Sequence, residues 1–270
     1  MTAMTDEADT AKLTVEGLSV GYGDTPVQHD ISFKVKPGSI FAIMGTSGSG
    51  KSTLLKALVG LLEPSAGRIC FGSEDYTAAD DKHRAVIRRR FGVVFQNAAL
   101  WGAMTASENV ALAMQMFTHL DAATVTALAR LKLSLVGLDT GFDSLPADLS
   151  GGMSKRVGLA RAMALDPDML FLDEPSAGLD PISSRRLDDL IVVLRDALGV
   201  TVVMVSHELP TLLGICDDGI FLDTKTRTSI AHGAPRVLRE RCSDPQVHAF
   251  LHRDRPPGEG SAVEAGNGER

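Results

Sequence analysis

The 270-residue chain predicts an α/β fold: a parallel sheet covered on both faces, an antiparallel β element ahead of it and a helical lobe inserted into it. Three observations predict that class. Short apolar runs at 40–44 (IFAIM), 168–174 (DMLFLDE), 200–206 (VTVVMVS) and 219–223 (GIFLD) alternate with helical stretches, the pattern of strands buried on both faces. Residues 13–22 (LTVEGLSVGY) and 31–37 (ISFKVKP) read as antiparallel strands. Residues 97–154 have little strand character and carry two helix-start signatures.

Taken in order, residues 1–12 are small and polar and are expected to form a disordered N-terminus. After the strand at 40–44 comes a glycine loop and the helix KSTLLKALVGLL, 51–62. Cys70 sits in an apolar strand-like run and is expected in the core. KHRAVIRRR, 82–90, reads as a solvated helix face leading into a strand. Thr105 and Glu108 suit a capping box before NVALAMQMF. Asp121 precedes a stripe of Val125, Leu128, Leu131 and Leu135, closed by Gly137. Asp180 and Pro181 supply an N-cap and a first-turn proline for the helix carrying Leu187, Leu190, Ile191 and Leu194, which Gly199 ends. The expected organisation is one domain over 13–253, with an α/β core at 13–96 and 155–240, a helical subdomain at 97–154 and a C-terminal extension at 241–253. Residues 254–270, rich in Pro, Gly and Glu, are expected to be a disordered tail.

Composition narrows the function. With 44% hydrophobic and 23% charged residues, the chain can bury a sizeable core. A net charge of −7 argues against the broad basic surface of a nucleic-acid binder, so no nucleic acid is expected as partner. The three cysteines have no metal-ligand spacing, and their odd number without a signal peptide fits a reducing cytosol. No window offers about 18 uncharged apolar residues, so a soluble protein is expected.

GTSGSGKS, 45–52, fits G-x-x-x-x-G-K-[ST] between a strand and a helix, the setting that motif requires. Gly45, Thr46, Ser47, Gly48, Ser49 and Gly50 would turn backbone N–H groups inward around phosphates. Lys51 would reach the β and γ oxygens, Ser52 would ligate Mg²⁺, and Thr53 follows in the first helical turn. Asp173, at the end of another apolar strand, supplies a second metal ligand. Glu174 then stands where a carboxylate orients or deprotonates an attacking water. ATP with Mg²⁺, and its hydrolysis, is the chemistry these residues suit. A further stretch, LSGGMSKRVGLARA at 149–162, begins a helix oddly: Ser150 can cap it, while Gly151 and Gly152 strip its first turn of side chains. Bare N–H groups at a helix N-terminus suit an anion.

With those motifs the chain resembles the ATPase subunit of ABC transporters over about residues 13–240, which implies a RecA-like P-loop NTPase core with antiparallel β and α-helical subdomains. LSGGM is its signature, with Met153 where many members carry Gln; Tyr22 matches the aromatic that stacks on adenine, Gln96 the Q-loop that senses γ-phosphate and metal, SAGLD (176–180, ending at Asp180) the D-loop, and His207 the H-loop. The resemblance implies catalytic roles for Glu174, His207 and Gln96, metal contacts from Ser52, Gln96 and Asp173, and a head-to-tail homodimer in which Ser150, Gly151 and Gly152 of one copy meet the ATP held by the other. Asp180 would also act across that dimer. It further implies a separate membrane permease. The run Ala98, Ala99, Leu100, Trp101 and Met104 forms either its docking site or the core of the lobe. The segments FQNAALWGAMTASENVA and DPQVHAFL resemble the ATPases of the Mla phospholipid-trafficking system, which implies an Mce-domain lipid-binding partner and a peripheral place on the cytoplasmic face of the inner membrane. Alternatives are an ABC ATPase for another substrate or a non-transport ABC protein. Against the latter, the chain has one cassette and no long coiled coil.

Overall fold

Strands whose residues are apolar on both faces need cover on both sides, and the larger sheet of this protein has it. The computed structural model describes residues 11–23 and 25–253. In the larger sheet, β3 (Ile40–Gly45), β6 (Phe91–Val94), β7 (Met169–Asp173), β8 (Thr201–Val205) and β9 (Asp218–Leu222) run parallel, with β10 (Ser229–His232) antiparallel at the edge, in the order β10-β9-β3-β8-β7-β6. The smaller sheet pairs β1 (Leu13–Tyr22) antiparallel with β2 (Thr25–Val35) and with β4 (Ala66–Phe71), and β4 with the short β5 (Glu74–Asp75).

Alternation within each parallel strand divides the interior in two. Phe41, Ile43, Phe171, Val203 and Val205 join the smaller sheet and α1 (Lys51–Leu58). Ile40, Ala42, Met44, Leu170, Leu172, Val202 and Met204 face the helices on the other side. These are α3 (Ala106–Phe117), α4 (Ala122–Leu135), α5 (Gly151–Ala162), α6 (Pro181–Leu198), α7 (Leu209–Ile215), α8 (Pro235–Arg241) and α9 (Pro245–His252). The remaining helix, α2 (Asp81–Arg88), leads into β6.

Local chemistry sets the helix ends. Thr105 and Glu108 make both bonds of the capping box, Thr105 N–H to Glu108 Oε2 at 2.7 Å and Glu108 N–H to Thr105 Oγ1 at 3.2 Å. Asp180 Oδ1 accepts from the N–H groups of Ile182 and Ser183, each at 3.0 Å, with Pro181 as the first helical residue of α6.

Several expectations need correction. The helix expected over 51–62 stops at Leu58, because the chain turns through Gly60. Cys70 is only half-buried; its neighbours Ile69 and Phe71 take the inward positions of β4. On α4 the buried line is Val125, Ala129, Leu133 and then Val136, and Leu131 and Leu135 are 52% and 44% exposed. Of the expected stripe, Val125 is buried and Leu128 packs partly against the core; the buried positions repeat every four residues, whereas a spacing of three carries Leu131 around the helix to solvent. Ala11 is buried and Lys12 N–H donates to Val35 carbonyl at 2.8 Å, so order begins before residue 13. Residues 1–10 and 254–270 lie outside the described residues.

Candidate nucleotide site

In a parallel sheet the carboxyl ends of adjacent strands open on one edge, where ligands bind. Here β3 delivers the glycine loop, β7 delivers Asp173 and Glu174, and β8, which lies between them, delivers His207. The loop's shape demands glycine. Gly50 sits at φ 83° as the N-cap of α1, and a Cβ there would lie 2.6 Å from Val27 Cγ1. A Cβ on Gly45 would lie 2.6 Å from the Leu222 carbonyl.

Lys51 Nζ crosses the loop and donates to the carbonyls of Gly45 at 2.9 Å and Thr46 at 2.8 Å. Burial holds its ammonium below the ordinary lysine pKa, while the Glu174 and Asp173 charges pull it back up. Ser52 Oγ donates to Asp173 Oδ1 at 3.0 Å. Burial raises the Asp173 pKa against that hydrogen bond and the charges of Lys56, Lys51 and Lys155. A hydroxyl and a carboxylate so placed fit the two protein ligands of Mg²⁺, which completes its shell with water and phosphate oxygens. Among the described residues no group of three or more His, Cys, Asp or Glu could hold a metal by itself.

Glu174 is 8% exposed, and its φ of 48° turns the chain sharply out of β7. That turn is held by Glu174 N–H to the Val205 carbonyl at 2.9 Å and by Glu174 Oε1, 2.7 Å from His207 Nδ1. The other carboxylate oxygen, Oε2, is buried without a hydrogen-bond partner in the protein.

A cavity of about 1460 Å³ is lined by Gly45, Thr46, Ser47, Gly48, Gly50, Lys51, Ser52 and Thr53 together with Gln96, Glu174 and His207. Ser49 lies beneath it, buried, its Oγ also unpartnered. Tyr22, 53% exposed, does not line this cavity, and neither do Ser150, Gly151, Gly152 or Asp180. Ser150 caps α5, Oγ accepting from Met153 N–H at 3.2 Å, and Ser150 and Gly151 are exposed. Of the run after Gln96, Ala98 is buried and Leu100 partly so against the core, which removes them from a free surface; Trp101 is 61% exposed.

Sequence reasoning missed several residues. Gln28 is buried, its amide donating to the Ser49 carbonyl at 2.7 Å and the Asp223 carbonyl at 3.1 Å, so β2 braces the phosphate loop from below. Asn109 Oδ1 accepts from Trp101 N–H at 2.8 Å and its amide reaches the carbonyls of Trp101, Met104 and Thr105, fixing the segment that presents Trp101. Gln246, Phe250 and Arg253 line the cavity's far wall. Gln28 has no local motif, its contacts being distant in sequence, whereas Asn109, Gln246 and Phe250 lie in segments read above for their resemblance, which assigned them no role.

A phosphate loop after one parallel strand, with a histidine after the adjacent strand and an acid pair at the end of the next, defines a P-loop nucleoside triphosphatase. The ABC transporter family model matches residues 28–177, and the chain belongs to that family as an ATP-binding, ATP-hydrolysing subunit. It is 40% identical over 234 residues to the intermembrane phospholipid transport system ATP-binding protein MlaF of Escherichia coli K12, covering 87% of this chain and 86% of that protein. The Haemophilus influenzae protein of the same name is 40% identical over 240 residues, 88% and 89% of the two chains. A Mycobacterium tuberculosis relative described as "Probable ribonucleotide transport ATP-binding protein mkl" is 33% identical over 240 residues, 89% of this chain and 66% of that one. Among solved structures, a dimeric post-hydrolysis state of the cassette MJ0796 bound to ADP and Pi shares 28% identity at a TM-score of 0.74, covering 82% of this chain and 97% of that one.

Proposed function

We propose that this chain energises phospholipid transport through a separate membrane permease by hydrolysing ATP at two sites shared between two copies of itself. The observation that carries the shared site is spatial: Lys51, Ser52, Glu174 and His207 line one cavity, while the glycine-rich start of α5 at Ser150–Gly152 lies outside it. A second copy supplies it. Dimeric assembly of the MJ0796 cassette supports that arrangement. Tyr22 stacks on adenine, Gly45–Thr53 hold the phosphates, Ser52, Asp173 and Gln96 hold Mg²⁺, Glu174 activates water, and His207 and Gln96 attend the γ-phosphate. Asp180 acts across the dimer.

Residues 97–154 then form the lobe that carries the signature toward the partner, beside the core at 13–96 and 155–240. Exposed Trp101 offers the permease a contact. No helix among the described residues is long and apolar enough to cross a membrane. The phospholipid cargo, the Mce-domain partner and the place on the cytoplasmic face of the inner membrane rest on the likeness to MlaF.

The test is reconstitution of the chain with its permease between phospholipid vesicles. ATP-dependent lipid movement is expected, and Lys51→Ala should abolish both movement and turnover. Lipid movement that survives Lys51→Ala, or ATP turnover stimulated by ribonucleotide and not by phospholipid, would contradict the proposal.

A further inference from the structure

Lys155 lies in the second turn of α5 and is buried, 7% exposed. A buried ammonium ordinarily pairs with a carboxylate. This one is spent on backbone: Nζ donates to the Gln96 carbonyl and reaches the Glu174 carbonyl at 3.4 Å. Those carbonyls belong to the two residues whose side chains are assigned to the γ-phosphate and the attacking water. Burial lowers the Lys155 pKa, and the charges of Glu174 and Asp173 act against that shift.

The same helix holds the chain beyond Gln96. Arg161 donates to the carbonyls of Ala98 and Ala99, each at 2.7 Å. Those alanines sit at φ 57° and 48°, a left-handed conformation that L-residues keep only when the surroundings hold them. Between the two cations, α5 approaches so closely that a Cβ on Gly158 would lie 3.1 Å from Ala98 Cβ. Residues 96–99 are therefore fastened along α5, whose N-terminus is Ser150–Gly152. Glu174, by contrast, belongs to the strand end of the α/β core.

The geometry points to Lys155 as a positioning residue that couples the two ATP sites of the dimer. When phosphate in the partner's site engages the start of α5, the helix carries Gln96 with it, and Lys155 passes the shift to the backbone of Glu174 in its own site. The device rests on the shared-site reading above and adds a direction to it: engagement of one site sets the base of the other.

The test compares the full chain with its Lys155→Gln, Lys155→Met and Lys155→Arg variants, reading ATP turnover against ATP concentration, nucleotide affinity and melting temperature. Lys155→Gln should lower kcat about 10- to 100-fold and bring the Hill coefficient to about 1, with nucleotide affinity within about threefold. Lys155→Arg should restore most of both. If the Gln variant does not fold, Lys155→Met, which keeps the packing of the stem, reads the same quantities. A folded Gln or Met variant with wild-type kcat and Hill coefficient overturns the inference, as does one whose kcat and nucleotide affinity fall together. Glu174→Gln separates the two levels: if that variant still turns over, the site assignment itself has failed; if it is inactive while the Lys155 variants match wild type, only the coupling has.

Discussion

At Glu174, three features meet in one residue: a left-handed backbone, a carboxylate oxygen 2.7 Å from His207 Nδ1, and a second oxygen buried with no partner. An imidazole Nδ1–H can donate to the near carboxylate oxygen, which leaves the second oxygen to take a proton from an attacking water admitted beside it. An amide in the same place keeps the volume and still accepts from His207, but it has no basic oxygen. Glu174→Gln should therefore lower phosphate release by about 10²- to 10⁴-fold while ATP affinity holds, read by phosphate assay and nucleotide titration. Turnover near that of wild type would remove Glu174 from its role. The site was legible at this scale because GTSGSGKS, the Asp173–Glu174 pair and LSGG are contiguous strings whose chemistry is local. Gln28 and Lys155 were not, since each acts on backbone carbonyls brought near only by the fold.

Among the elements, α6 and α7 are joined by a buried polar pair. Thr211 Oγ1 donates to Asp188 Oδ2 at 2.8 Å, and Asp188 Oδ1 has no hydrogen-bond partner. Burial raises the Asp188 pKa from 3.8 to about 6; Asp189 and Glu208 add to the rise, while Thr211 and Arg185 oppose it. The native state thus holds this proton more tightly than the unfolded chain does. Stability from this group is fullest below about pH 4, falls as pH rises toward about 6, and stays at the lower level above that. Asp188→Asn keeps the acceptor for Thr211 and removes the ionisation, so it should stabilise the protein by about 1–3 kcal/mol near neutral pH and by almost nothing near pH 4. Denaturant melts at the two pH values check this, and a gain independent of pH would contradict it. Element positions themselves were largely readable from apolar runs and caps. What was not readable was helix rotation: α4 buries the four-residue line Val125, Ala129 and Leu133, so Leu131 and Leu135 turn outward despite their hydrophobicity.

For the whole molecule, the phosphate loop and the start of α5 lie apart on one chain, and the proposed dimer is what would bring them to one nucleotide. Only the family resemblance implied that separation; no motif spells it, because it is a property of where α5 starts relative to the edge of the sheet. ATP between two copies would act as the adhesive, and hydrolysis would loosen it. Gly152 offers a clean probe. A Cβ there would have its nearest neighbours at 3.8 Å, on Ser183, so a side chain fits without disturbing the fold. An acidic one even suits the helix N-terminus while repelling phosphate. The deciding measurement is sedimentation of the Glu174→Gln chain with Mg²⁺ and ATP, alone and combined with Gly152→Asp. ATP should convert the first from monomer to dimer, and the second should bind ATP yet remain monomeric. A dimer that persists in the double variant, or a monomer whose own ATP affinity collapses with Gly152→Asp, would show that the start of α5 does not serve a partner's nucleotide.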